Sequence, residues 1–151
     1  MARMHARKKG KSGSTKPPSK TPPSWVSEDK ASCEKLVIGL AKEGKSPSEI
    51  GLILRDSKGI PSVKAITGKS IKTILEEKKL SPEFPEDFMN LIKKAVKLRK
   101  HLEENNKDLH NKRGLQLTEA KIKRLQRYYK TKGVIPQEWY YDPEKASLLV
   151  K

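Results

Sequence analysis

The stretch His101-Leu102-Glu103-Glu104-Asn105-Asn106-Lys107-Asp108-Leu109-His110-Asn111-Lys112-Arg113-Gly114 decides the fold, because it is a polar turn between the chain's two longest apolar stripes. Before it, Phe88, Leu91, Ile92, Ala95, Leu98 and Leu102 recur at helical spacing and mark one helix of about five turns. After it, Leu115, Thr118, Ile122, Leu125 and Tyr129 step by three and four and mark a second. Two such stripes joined by a short polar turn predict an antiparallel helical hairpin.

Working outward, Val134-Ile135-Pro136 reads as a turn, followed by a short final helix around residues 145–150. On the other side, Leu80-Ser81-Pro82-Glu83-Phe84-Pro85 carries two prolines and reads as a linker. Farther back, Cys33, Leu36, Val37, Leu40 and Ala41 form one helical stripe ending near Gly44. Cys33 lies on that stripe, so it is read as a small core residue and not a nucleophile. Ser46-Pro47-Ser48-Glu49 is a helix start with a capping box, and Gly59-Ile60-Pro61 is the matching stop. Val63 and Ile66 mark a short helical stretch, and Thr67 is expected to open another with Ile71, Ile74 and Leu75. No alternating strand pattern and no internal repeat is found. The expected architecture is all-α: a small N-terminal helical unit over 28–80, packed like a helix-turn-helix, and a hairpin domain over 81–151. A disordered basic extension over 1–27 precedes them. Trp25, Trp139 and Tyr140 either fill small cores or stack on bases, and cores are the preferred reading.

Composition agrees with thin helical cores. Of 151 residues, 34% are hydrophobic and 5% aromatic, too few for a large sandwich or barrel. No run approaches the ~18 apolar residues of a membrane span, so no membrane partner is expected. The basic N-terminus lacks the apolar stretch of a secretory signal. The single cysteine excludes an internal disulfide framework and suits a reducing compartment.

Charge is the stronger constraint. Lys and Arg number 34 against 18 Asp and Glu, a formal net charge of +16, which points to a polyanionic partner. The excess is concentrated in two places. Residues 1–27 hold seven Lys/Arg and no acid, and residues 81–133 hold fourteen bases against seven acids. The extension is also rich in Gly, Ser and Pro. It cannot bury enough surface to offset its ordering entropy, and is read as an arm that orders on phosphates through Arg3, Arg7, Lys8, Lys9 and Lys11.

Enzyme readings fare poorly. Gly39-Leu-Ala-Lys-Glu-Gly44-Lys45-Ser46 satisfies the phosphate-loop pattern, which works because backbone N–H groups between a strand and a helix cradle phosphates. Here Gly39 falls inside a helical stripe, and Pro47 removes an N–H where donors are needed. Cys33, His5, His101 and His110 have no paired ligand spacing, so no metal is expected. Glu76-Glu77 and Glu103-Glu104 read as solvated faces among lysines. No catalytic set, cofactor or small-molecule substrate is expected.

The turn reads either as a plain polar turn in which Asp108 or Asn111 caps the second helix, or as a nucleic-acid contact. His101, Asp108, Asn111 and Gly114 offer polar and close-approach positions, and Lys107, Lys112 and Arg113 can hold phosphates. Lys121, Arg124, Tyr128 and Lys132 then follow at spacings of three and four, a basic stripe with an aromatic in it.

The residues Leu98-x2-His101-Leu102-x5-Asp108-x2-Asn111-x3-Leu115-x9-Leu125-x2-Tyr128 resemble the signature of the small-subunit ribosomal protein fifteen family. The start MARMHARKKGKSGSTKP and the block PSEIGLILRDSKGIPSVKAITG look like its archaeal–eukaryotic branch, and the tail is similar to archaeal members. The resemblance implies a helical protein, cytoplasmic and on the ribosome, that binds small-subunit rRNA at a central-domain three-way junction and an adjacent helix. Neighbouring ribosomal proteins and the large subunit are its further implied contacts. It places His101, Asp108 and Asn111 at the helical site and Tyr128 at the junction. Ser81-Pro82 and Asp87 stand where bacterial members have a Thr-Gly pair and a Gln. Pro82 has no N–H to donate and Asp87 repels phosphate, so that contact is not carried over. The competing readings are a helix-turn-helix DNA-binding chromosomal or regulatory protein using residues 28–80, and a nucleotide-dependent enzyme built on Gly39–Ser46.

Overall fold

The computed structural model describes residues 21–150, and among them every regular element is a helix. Arg3, Arg7, Lys8, Lys9, Lys11 and the disordered-extension reading up to residue 20 lie outside the described residues. The chain divides between Pro82 and Glu83 into two compact units.

The N-terminal unit contains α1 (Lys30–Lys42), α2 (Pro47–Lys58), α3 (Val63–Thr67) and α4 (Ile71–Glu77). Each start has a local cause. Asp29 caps α1 by accepting from the Ser32 N–H at 2.8 Å. The Ser46 hydroxyl accepts from Glu49 N–H while Glu49 accepts from Ser46 N–H at 2.9 Å, the reciprocal box that the sequence predicts. Gly59, at φ +64°, ends α2 in the left-handed conformation that a Cβ disfavours. The helices bury Cys33, Val37, Ile50, Leu54, Ile60, Val63, Ile74 and Leu75 together. Burying an aliphatic side chain of this size contributes about 1.5–3 kcal/mol. Burial also pushes the Cys33 thiol up, which suits a core residue and not a nucleophile.

One expected helix start moves. Thr67 does not open α4 but ends α3: Gly68 follows at φ +76°, and the Thr67 hydroxyl turns back onto the Val63 carbonyl at 2.9 Å. Ser70 caps α4 instead, accepting from Thr73 N–H at 3.1 Å.

The second unit contains α5 (Glu86–Glu104), α6 (Leu109–Thr131) and α7 (Ala146–Leu149). The pairing of early α5 with late α6 makes the two antiparallel. The Tyr129 hydroxyl donates to Asp87 at 2.7 Å, Arg99 pairs with Glu119, and His101 meets Asp108 across the turn. Phe88, Ile92, Ala95 and Ile122 pack between the helices, with Ile135 and Ala146 closing the core from the returning C-terminal segment. Phe88 stands at the centre of an aromatic cluster with Phe84, Tyr129 and Trp139, at centroid separations of 5.4–6.4 Å.

Two features depart from the sequence reading. Gln126, a polar residue one position off the apolar stripe, is buried. Its amide donates to the Trp139 carbonyl and accepts from the Tyr141 N–H, both at 3.3 Å, strapping the C-terminal segment to α6. Of the three aromatics assigned to cores, only Trp139 packs there. Trp25 and Tyr140 are each 72% exposed, and Lys130 caps the Tyr140 ring at 3.5 Å from its centroid.

Candidate nucleic-acid interface

The hairpin turn is organised around one carboxylate. Asp108 is the residue before α6, and its Oδ1 accepts from Asn111 N–H at 2.9 Å, capping the helix. Its Oδ2 accepts from Asn111 Nδ2 at 2.6 Å and from His101 Nε2 at 3.0 Å. Asn111 Nδ2 also stands 3.3 Å from that ring nitrogen, and both being donors, each is turned to the carboxylate. The Asn111 N–H first, then the His101 ring and the Asn111 amide, hold the Asp108 carboxyl far below the usual carboxylate range. Asn105 ends α5 beneath this group, its N–H and side-chain amide both donating to the His101 carbonyl, at 2.9 and 3.2 Å. The sequence reading did not single out Asn105. Its position four residues after His101, at a helix end, is the signal that could have found it.

Around this hub the cations are exposed. Lys107, Lys112 and Arg113 are all exposed, Arg113 with one hydrogen bond to Gln116 at 3.2 Å. Gly114 is different. It is buried, and its carbonyl accepts from the Thr118 hydroxyl at 2.9 Å, so its place is in helix packing and not on the contact surface.

The outer face of α6 continues the positive field. At ~100° per residue, Arg113, Lys121, Arg124, Tyr128 and Lys132 share a sector of about 100°, and all five are exposed. Lys123 and Arg127, which the sequence reading passed over, are exposed on the adjacent sector. Leu109–Thr131 holds seven Lys/Arg and a single acid, Glu119, and that acid is engaged by Arg99. No free carboxylate on α6 therefore offsets the field. Tyr128, 53% exposed, leans edge-on against Tyr129 with centroids 5.2 Å apart. Tyr129 is fixed by Asp87, and burial foremost, then that carboxylate, pushes its hydroxyl up to about 12. Asp87 thus has a structural task within the hairpin.

The enzyme-like motif has no such support. Gly39 lies inside α1, Gly44 forms a turn at φ +82°, and the Ser46 hydroxyl is taken by its own helix cap. Among the described residues, no group of three His, Cys, Asp or Glu side chains could hold a metal ion. No described helix is long and apolar enough to cross a membrane.

Comparison with known proteins follows the same division of the chain. Residues 1–60 match the family model described as Ribosomal S13/S15 N-terminal domain, and residues 71–149 match Ribosomal protein S15. Three similar relatives are each called small ribosomal subunit protein uS15. The one from Methanoregula boonei is 55% identical, and those from Methanocella arvoryzae and Methanoculleus marisnigri are 51% identical. Each alignment runs over 150 residues and covers 99% of both chains.

Proposed function

The chain belongs to the ribosomal protein S15 family, and from that premise we propose that its hairpin reads a central-domain three-way junction and the adjacent helix of small-subunit rRNA. It is a structural constituent of the small ribosomal subunit, an RNA-binding protein of translation in the cytoplasm, and not an enzyme.

The observation that carries the junction reading is the three-residue hub at the turn. A-form RNA hides its major groove from side chains, so recognition falls to shape, 2′-hydroxyls and irregular junctions. His101, Asp108 and Asn111 are already locked together, so little side-chain entropy is lost when they meet RNA. Asn111 spends amide donation on Asp108 and keeps its carbonyl oxygen for a 2′-hydroxyl or base edge. Lys107, Lys112 and Arg113 hold the phosphates on either side. Along α6, Lys121 and Arg124 follow the phosphate path to Tyr128, which lies ~25–30 Å from the turn and stacks at the junction. The extension over residues 1–27, with Arg3, Arg7, Lys8, Lys9 and Lys11, adds counterion release with little specificity. Neighbouring ribosomal proteins and the large subunit complete the partners.

The test is binding of the full chain to a three-way-junction fragment of small-subunit rRNA, beside a plain RNA duplex and a DNA duplex, over a salt series. A junction preference that survives moderate salt supports the reading. Equal binding that collapses with salt leaves only a basic surface, and duplex DNA outcompeting the junction favours the helix-turn-helix alternative.

A further inference from the structure

Trp25 is misplaced for a core residue. It is the largest apolar side chain in the N-terminal unit and stands 72% exposed, which forgoes most of the hydrophobic gain that burial offers. It is nevertheless held. The indole Nε1–H donates to the Gly59 carbonyl at 3.2 Å, and Cδ1 lies 3.9 Å from where a Cβ on Gly59 would sit. The backbone beside it is anchored as well, since Val26 N–H donates to the Pro23 carbonyl at 3.1 Å and the Val26 side chain packs on the core. The ring is thus fixed along one edge to the end of α2 while most of its surface meets water.

The charge around it indicates what could cover that surface. Residues 1–24 lead into Trp25 with seven Lys/Arg and no acid, and Lys58 precedes Gly59 in the last turn of α2. Of the acids nearest in sequence, Asp56 is paired with Arg55, while Glu28 and Asp29 are turned to the start of α1, accepting from the Ser32 hydroxyl and the Ser32 N–H. Lys58 adjoins Gly59, the ring's anchor point, and an aromatic beside a cationic side chain is a common platform for an unpaired base.

We propose that Trp25 is a stacking platform for one unpaired base of small-subunit rRNA, with a flanking phosphate held by Lys58. The proposal rests on the reading that this chain binds that rRNA, and it is independent of the hairpin turn. The indole N–H is occupied by Gly59, so the platform offers a π face without a hydrogen-bond donor. It therefore accepts a base by stacking and shape, with little preference among the four.

The chain has two tryptophans, so Trp139→Phe leaves Trp25 as the only emitter. Full-length small-subunit rRNA is the probe, with complex formation followed separately by filter binding. On saturation, Trp25 emission should be quenched and its access to acrylamide lost. Trp25→Ala should weaken binding about tenfold, while Trp25→Phe, which keeps a ring but not the bond to Gly59, stays within about threefold. If Trp139→Phe does not fold, as judged by circular dichroism, the same signal is read as the difference between the unaltered chain and Trp25→Phe. A complex that forms with Trp25 emission and acrylamide access unchanged overturns the proposal and leaves rRNA binding standing. Protection that appears only in assembled subunits makes the site a protein contact, which also overturns it. Failure to bind rRNA at all removes the parent reading and this one together.

Discussion

Asp108 Oδ2 lies 3.0 Å from His101 Nε2, so one hydrogen bond ties the last turn of α5 to the residue that caps α6. The same carboxylate accepts the Asn111 N–H and amide. The residues that fix the turn's geometry are therefore the residues proposed to meet RNA, and turn stability and recognition are coupled through Asp108.

That coupling has a pH signature. The fold favours the ionised carboxylate, so its contribution to stability is complete above about pH 5 and fades as the pH falls below about 4. Asp108→Asn loses the contribution at neutral pH and should melt a few degrees lower. Melting curves of both proteins from pH 7 to pH 2.5 should converge on acidification. A gap that stays constant means the carboxylate's charge is not what secures the turn.

Tyr129 gives the opposite sign at the other end of the scale. Its hydroxyl donates to Asp87, and its pKa is pushed up to about 12, so the fold favours the protonated phenol. That contribution is complete below about pH 10 and lost as the pH rises toward 12. Burial raises Tyr141 as well, so ultraviolet difference titration should show two tyrosines ionising after the ordinary ones, and Tyr129→Phe should remove one of those late steps. An unaltered titration would show that the Asp87 bond does not persist in solution.

Phe88 joins both helices to the C-terminal segment through its one ring and is fully buried. Phe88→Ala should cost about 3–5 kcal/mol in urea unfolding of the hairpin. It should lower RNA affinity only where the hairpin is partly unfolded. A loss below about 1 kcal/mol would place the hairpin's stability elsewhere.

Surface cations should act differently from the hub. Lys121→Ala and Arg124→Ala should each reduce the slope of log K against log salt by about 1, weakening junction and duplex RNA alike. Deleting residues 1–24 should flatten that slope further and leave the junction preference intact. Loss of preference on deletion would assign shape reading to the extension.

What was legible in the sequence was local. Ser46 and Glu49 are three residues apart, and their capping box follows from that spacing alone. Asp108 and Asn111 both read as caps for the second helix, the Asn111 N–H on Asp108 decides between them, and the two apolar stripes expose their periods directly. What escaped depends on partners far along the chain. A glutamine at 126 is an ordinary surface residue until Trp139 and Tyr141 return to it. Asp87 reads as a phosphate repellent because the Tyr129 hydroxyl that occupies it lies 42 residues away. Thr67 and Ser70 are both residue types that start helices, and the left-handed turn at Gly68 decides for Ser70. Gly114 looked like a point of close approach to RNA, but its position on α6 turns it toward the packed side.

The most direct test of the central claim is the affinity of His101→Ala and Asp108→Ala for the three-way-junction fragment and for a plain RNA duplex, at one moderate salt concentration, with folding verified by circular dichroism. The account predicts junction binding about tenfold weaker or worse for each variant, with duplex binding nearly unchanged. Equal losses on both RNAs, or none on the junction, would contradict it and reduce the hub to a helix cap.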